Sequence, residues 1–460
     1  MGLRAGVEPL SGRAVPVSRL ARSLQPARLA GSAAVRWAGA HLAFGEKRQA
    51  KKRQAMLRTA EDVTRTMGEM KGAVMKVGQI LSLMTGVLPE EMASQLATLQ
   101  AGAPPMSFDL VAEVFEREYG KRPEEVFRRF ERQPFAAASI GQVHRAELRD
   151  GTRVAVKVQY PGVREAIDHD LANVGMMLRV GGLVARGLDV GTVVKDLEAG
   201  IRAELDYLRE AAWQQRFFDA FEGHGFVRVP RVYHELTRPT VLVQEYVEGK
   251  PFAAAVALPQ AERDRIGEMI YRFCFGSLYR HGLFNGDPHP GNYLLCDDGK
   301  MAFVDYGCVA EFSRETLDGF MRLIRALNDQ DLEAWRAATE AIGILLPNAP
   351  FPTAQVYEHM HWYWAPILAD EVEFTPELAA EMVRRNTMTS GLGGQINKHC
   401  NVPEGMVFLT RINFGLAGLL AGLRAKGPWR AIVKEYVDGD APCTELGRLS
   451  AATTASGQPV

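Results

Sequence analysis

Nowhere in the 460 residues do 18 or more apolar residues run together, so no membrane-spanning helix is expected. Cysteine is scarce. The five (Cys274, Cys296, Cys308, Cys400 and Cys443) are scattered with no CxxC pair, which argues for a reducing compartment and against disulfides or zinc. Repeats and low-complexity tracts are missing ahead of the tail, 451–460, and the composition excludes disordered and collagen-like chains. What remains is an ordinary globular balance, 47% apolar and 24% charged. The length suits two or three domains' worth of core, or one two-lobed unit.

A net charge of -1 hides an asymmetry. Residues 1–60 hold 12 Lys/Arg against Glu8 and Glu46, a net +10, so the other 400 residues sum to -11. A basic arm on an acidic body fits an electrostatic membrane anchor, a nucleic-acid contact, a targeting peptide or a solvated arm. Gly6 stands where a myristoylation site needs Ser or Thr, so Met1-Gly2 is no acylation signal.

The clearest helical periodicity spans 56–84. Met56, Ala60, Val63, Met67, Met70, Val74, Val77, Leu81 and Met84 make one apolar seam. Gly68, Gly72 and Gly78 make it a poor free coiled coil, so a helix packed on its own protein is expected. Ser107 is placed to cap a helix over 108–119 that Gly120 ends. The stretches 140–148 and 152–159 read as strands joined at Arg149-Asp150-Gly151. A long helix then carries Val194, Leu197, Ile201, Leu205, Leu208 and Ala212 on its apolar face, and Val241-Leu242-Val243 reads as another strand. From Ala261 onward the pattern is mainly helical, interrupted by a loop-rich stretch, 285–305. Strands first and helices later predict an α+β fold, a small mixed lobe followed by a larger helical one.

Four elements of phosphoryl-transfer chemistry follow in order. Val154-Ala155-Val156-Lys157 matches the strand lysine that pairs nucleotide phosphates, although a Lys ending an apolar strand is more often a surface residue. Glu210, on the next helix, could hold that lysine; Asp206 lies one turn earlier, and spacing alone does not choose between them. In Asn285-Gly286-Asp287-Pro288-His289-Pro290-Gly291-Asn292, Asp287 and Asn292 stand five apart, as in a kinase catalytic loop. His289 is read as a backbone hydrogen-bonder rather than a metal ligand. Last, Asp305-Tyr306-Gly307 follows an apolar strand, Met301-Ala302-Phe303-Val304, and puts a carboxylate where a hard cation such as Mg²⁺ is held. Each signal is weak alone; chance must supply all four together.

These motifs, with Lys76-Val77-Gly78-Gln79, Pro134-Phe135-Ala136-Ala137-Ala138-Ser139-Ile140-Gly141-Gln142-Val143-His144, Gln159-Tyr160-Pro161-Gly162 and Glu204-Leu205-Asp206, resemble the signature set of the UbiB/AarF family of atypical protein-kinase-like proteins. Gly12-Arg13-Ala14-Val15-Pro16-Val17-Ser18-Arg19 is similar to a stretch that opens many members. The resemblance implies a bilobal kinase-like fold with an N-terminal helical extension: an arm over 1–53, the extension over 54–132, a small lobe over 133–250, a large lobe over 251–450 and a frayed tail. It implies ATP (or ADP) and Mg²⁺ as cofactors. Asp287, Lys157 and Glu210 would be catalytic, with Asn292 and Asp305 as metal ligands. Lys76, Gln79, Ala136, Ala137, Ala138, Ser139, Val143, Ala155, Lys157, Glu204, Asp206, Glu245 and Val247 would line the nucleotide site, the alanine loop replacing a glycine-rich one. It further implies a link to ubiquinone and other isoprenoid-lipid metabolism, and ATPase rather than protein-kinase activity.

The residues themselves support a departure from ordinary protein kinases. The G-x-G-x-x-G loop is absent, and alanines do not adopt positive φ cheaply. No A-P-E follows Asp305 at a useful distance, so a peptide-docking platform is not expected. Trp213 departs from the family pattern, which often has Asn there. The resulting expectation is an Mg²⁺–ATP-binding ATPase or small-molecule kinase of isoprenoid-quinone or lipid metabolism, cytoplasmic and peripheral to the membrane, or in the mitochondrial matrix if eukaryotic. Its partners are a nucleotide, an isoprenoid lipid or quinone precursor, and a membrane met through the basic arm; nucleic acid is not among them. The alternatives are a nucleotide-gated scaffold without turnover and, ranked lower, a phosphotransferase of the aminoglycoside-kinase type.

Overall fold

Val111, Val114 and Phe115, spaced three and four apart, turn the buried face of the first helix, α1 (Phe108–Tyr119). The computed structural model describes residues 106–138, 140–165, 202, 204–386, 391–401 and 406–455. The seam over 56–84 with Lys76 and Gln79, Ser139, and Val194, Leu197 and Ile201 lie outside them. Gly120 ends α1 at φ 66°, its N–H donating to the Glu116 carbonyl; Ser107 sits at the N-cap, but its hydroxyl makes no capping bond.

Two units divide the chain. Among the described residues, the first runs to Leu208 and adds Tyr233–Tyr246; the second holds Arg209–Val232 and the residues from Val247 on. The first is built on antiparallel strands β1 (Arg129–Phe130), β2 (Ala136–Ala138), β3 (Gly141–Glu147) and β4 (Arg153–Gln159). After β5 (Val227–Arg228) of the second unit, β6 (Val241–Glu245) completes the order β1-β3-β4-β6, with β2 paired to β3. The expected hairpin turn forms: Gly151 takes φ 90°, and the Asp150 carboxylate accepts from the Thr152 N–H at 2.9 Å. Val154, Val156 and Val158 alternate onto one face, where they pack with Val241, Val243, α1 and Phe127 and Phe130. Phe115 meets Phe127 and Phe130 edge-on at 6.0 and 5.5 Å, contacts worth about 0.5–1.5 kcal/mol each beyond their burial.

The expected long helix around 194–212 is corrected in its described part. Leu205 and Asp206 form a break, and α2 (Tyr207–Phe221) starts afresh beyond it. Asp206 accepts from the Leu208 N–H at 3.1 Å, an N-cap bond that fixes the new start. Restarting the helix rotates its faces. Leu208 and Ala212 are exposed, and the buried side is instead Tyr207, Glu210, Ala211, Gln214, Phe217 and Phe221.

In the second unit, β7 (Lys250–Pro251) precedes α3 (Gln260–His281), a central helix buried almost throughout from Ile266 to Tyr279. The stretch read as loop-rich, 285–305, starts from the end of β8 (Leu283–Asn285) and holds β9 (Tyr293–Leu295), which was not expected, and β10 (Met301–Phe303), which was; β11 (Val309–Glu311) lies beyond it. They give one sheet of order β5-β10-β9-β7 and a β11-β8 ribbon. Helices α4 (Arg314–Asn328), α5 (Leu332–Ala341), α6 (Thr353–Met360), α7 (Pro376–Asn386), α8 (Gly391–Asn397), α9 (Met406–Leu423), α10 (Trp429–Val437) and α11 (Glu445–Ala455) follow. Two further short strands, β12 (Val372–Glu373) and β13 (Lys426–Gly427), pair with each other. One core joins α2, α3, β10 and the later helices, with Phe273 stacked on Phe303 at 3.6 Å. Inside it Arg272 is clamped between Glu268, at 2.5 Å, and Glu435, at 2.7 Å. No helix among the described residues is long and apolar enough to cross a membrane.

Candidate functional site

In the first unit the chemistry sits on β4. Since Val154, Val156 and Val158 face the α1 core, strand alternation turns Ala155 and Lys157 to the opposite face. Val143 is the register partner of Lys157, and Ala136 that of Val143, so Ala136, Val143, Ala155 and Lys157 share this face. Lys157 is 8% exposed, and its ammonium lies 5.3 Å from the centre of the Tyr207 ring. A buried lysine in such a setting is not the surface residue that a strand-ending Lys usually is. Ala137 pairs with Gln142 and points to the other side. Glu245 is opposite Val154, so its side chain also lies off the lysine face, and what it offers there is main chain.

The expected alanine loop is corrected to a strand. Ala136, Ala137 and Ala138 form β2, paired residue by residue with β3, which extended alanines accept without positive φ. Gly141 makes the pairing possible, for a Cβ there would lie 2.2 Å from the Val158 carbonyl oxygen. Glu204 is buried, and Gln159 and Arg164 both donate to the Leu205 carbonyl, at 3.1 and 3.0 Å, pinning the Glu204-Leu205-Asp206 segment to the end of β4.

In the second unit a dense set of short-range hydrogen bonds shapes the loop after β8. Asn292 donates through Nδ2 to both the carbonyl and the carboxylate Oδ2 of Asp287, at 3.1 and 3.2 Å, which brings the two expected loop residues together. His289 accepts the Gly291 N–H on Nδ1 at 3.1 Å, the backbone role read for it. Asp305 follows β10, and its Oδ1 accepts from the Gly307 N–H at 2.9 Å, which orients the carboxylate. Asn285, 8% exposed, ties loop to strand end: its Nδ2 donates to the Asp305 carbonyl at 2.8 Å, and its Oδ1 accepts from the Asp287 N–H at 3.2 Å. Asp287, Asn292 and Asp305 are therefore parts of one hydrogen-bonded cluster. Tyr306 is buried against Phe217 of α2, ring centres 5.0 Å apart, and burial pushes its hydroxyl pKa well up, so it serves the core.

The Asp305 carboxylate and the Asn292 amide oxygen are hard donors that fit a small divalent cation. Among the described residues no three His, Cys, Asp or Glu side chains gather as a metal site. Glu210 lies in the first turn of α2, 2% exposed, and Val247 packs with Cys296 and Ala302. An apolar cavity of about 100 Å³, lined among others by Tyr271, Phe275, Tyr363 and Leu416, touches none of the sequence-predicted residues.

Asn285, the first residue of its motif, has a role that the sequence alone does not signal. The work done by Gln142 and His144 is likewise absent from the sequence-based expectations. Gln142 accepts from the Met106 N–H at 2.9 Å, tying the segment that leads into α1 to β3, and His144 stacks on Phe130 of β1 at 4.9 Å. The available signal was polar residues alternating with apolar ones on an otherwise buried strand.

A family model described as the ABC1 atypical kinase-like domain matches residues 98–339, more than half of the chain. The mitochondrial atypical kinase coq-8 of Caenorhabditis elegans is 32% identical over 292 residues, 62% of this chain and 39% of that protein. The probable protein kinase UbiB of Azotobacter vinelandii is 35% identical over 265 residues, 56% of this chain and 49% of that protein. The chain thus spans less than half the length of these curated relatives. Among solved structures, Rv3197 of Mycobacterium tuberculosis in complex with erythromycin superposes with a TM-score of 0.62 at 31% identity, covering 84% of this chain and 98% of that one.

Proposed function

This chain belongs to the ABC1 atypical kinase-like family, and from that premise we propose that it is an Mg²⁺–ATP-dependent ATPase or small-molecule kinase serving isoprenoid-quinone or lipid metabolism. The observation that carries the reading is the bonded cluster of Asp287, Asn292 and Asp305, held by Asn285. Asn292 and Asp305 are the metal ligands of the proposal. The metal would neutralise phosphate charge, and Lys157 adds a buried ammonium for the same purpose. Glu210, buried in the first turn of α2, is assigned the helix-carboxylate role. Asp287 orients the hydroxyl or water that receives the phosphoryl group and takes its proton.

The nucleotide contacts are assigned to Lys76, Gln79, Ala136, Ala137, Ala138, Ser139, Val143, Ala155, Lys157, Glu204, Asp206, Glu245 and Val247. The face shared by Ala136, Val143, Ala155 and Lys157 supports four of the assignments involved. A strand-forming alanine run in place of a glycine loop supports a departure from protein kinases. The basic arm over 1–53 is assigned to anionic membrane.

Phosphate release with and without anionic vesicles tests the reading. Asp287→Asn should abolish release while nucleotide binding persists; release that survives in this variant refutes the assignment. Binding without release in the parent would instead favour a nucleotide-gated scaffold. In a thermal-shift series, nucleotide at ten times Kd should add ~1.4 kcal/mol of stability, which Lys157→Ala should largely lose.

A further inference from the structure

The second unit closes on itself through its last described helix. Helix α11 is fastened along one side. Thr444 caps it, accepting from the Gly447 N–H at 3.0 Å while also bonded to Glu268 and, at 2.9 Å, to Arg272. Leu446 enters the core, and Leu449 lies so near the main chain at Gly225 that a Cβ there would be 3.2 Å from it. One turn from Leu446, Ser450 is 3% exposed, and its hydroxyl lies 3.1 Å from His224 Nε2 and 3.0 Å from Arg280 Nη1.

His224 occupies a particular corner. It follows α2, the helix of Glu210, and precedes β5, which pairs in parallel with β10, the strand leading to Asp305. Its Nδ1 accepts from the N–H groups of Phe226 and Val227, at 3.4 and 3.2 Å. That acceptor role puts the ring proton on Nε2, which donates to Ser450. Its carbonyl accepts from Lys300 Nζ at 2.9 Å, and the Phe226 carbonyl accepts from the Met301 N–H at 2.8 Å. A bond to Ser450 is therefore two residues from the register that sets β10.

We propose that His224 and Ser450 are positioning residues: α11 acts as a clasp that fixes the α2–β5 corner, and through β10 the Asp305 carboxylate. The assignment rests on the metal-ligand role given above to Asp305. Removing the clasp lets β5 and β10 shift together, loosening the carboxylate without touching it.

Two variants cut the same bond from opposite ends. His224→Asn retains a side-chain carbonyl for the nearby N–H groups but is too short to reach Ser450; Ser450→Ala removes the acceptor. Each should raise the Mg²⁺ concentration for half-maximal phosphate release about three- to ten-fold, and the double variant should match a single one. Amide exchange at Met301 and Gly307, measured without nucleotide or metal, should accelerate in all three. Unchanged exchange overturns the clasp. Faster exchange with an unmoved Mg²⁺ requirement in an active protein reduces it to a structural contact, which also overturns the proposal. Faster exchange in a chain whose parent releases no phosphate supports the clasp and sinks the enzymatic reading instead.

Discussion

His224→Asn should flatten the acid limb of this protein's stability profile. Burial, then the charges of Arg280, Lys300, His281 and Arg272, lower the His224 pKa from 6.5 to about 4. The folded state thus prefers neutral imidazole, while an unfolded chain takes up the proton near the ordinary value. Because the folded pKa is the lower one, the contribution is complete above 6.5 and drains away as pH falls towards about 4. At ~1.4 kcal/mol per pKa unit, the group accounts for about 2 kcal/mol of the stability lost between about pH 7 and about pH 4.5. His144, His281 and His359 are lowered too, burial leading in each, so the parent loses more than this in total. They are common to parent and variant and cancel in the difference. Urea unfolding followed by tryptophan fluorescence at the two pH values gives that difference directly. Parallel losses in parent and variant would refute the argument, for they would mean that His224 titrates alike folded and unfolded.

Two other perturbations address the frame around the chemistry. Gly141→Ala drives a methyl into the Val158 carbonyl, a backbone atom that cannot rotate aside, and should cost about 1–3 kcal/mol in urea unfolding; wild-type stability would show that β3 and β4 can part there freely. In the α3–α10 ion cluster, burial raises the Glu435 carboxyl while bonds from Arg272 and the Cys443 N–H outweigh it and hold the pKa low. Glu435→Gln leaves Arg272 with Glu268 alone and should destabilise by about 3 kcal/mol. A loss below about 1 kcal/mol would mean that one carboxylate suffices.

Local signals in the sequence carried far. Turn chemistry at Arg149-Asp150-Gly151 placed the hairpin, Gly120 placed the end of α1, and the apolar run at Met301 placed β10. What failed did so for tertiary reasons. Ala136, Ala137 and Ala138 have little strand preference of their own and are extended because β3 pairs with them. The face of α2 was misread because a capping aspartate restarts the helix, which resets the phase of every later residue. In the candidate site, Asp287, Asn292 and Asp305 were legible because their spacing carries chemistry. Asn285 was not, since its role depends on a partner twenty residues away that no periodicity reveals. The clasp from His224 to Ser450 was further out of reach.

That clasp also sets an order of assembly. The side-chain bonds of Asn285, Asp287 and Asn292 that shape the loop after β8 join residues no more than 20 positions apart, and such short closures form early and with little entropy to overcome. The link from His224 to Ser450 spans 226 positions. During synthesis the loop can take shape while much of the large unit is still unmade, yet the corner that aligns β10 stays unsecured until residue 450 has left the ribosome. A nascent chain would carry these chemical groups before it carries the clasp.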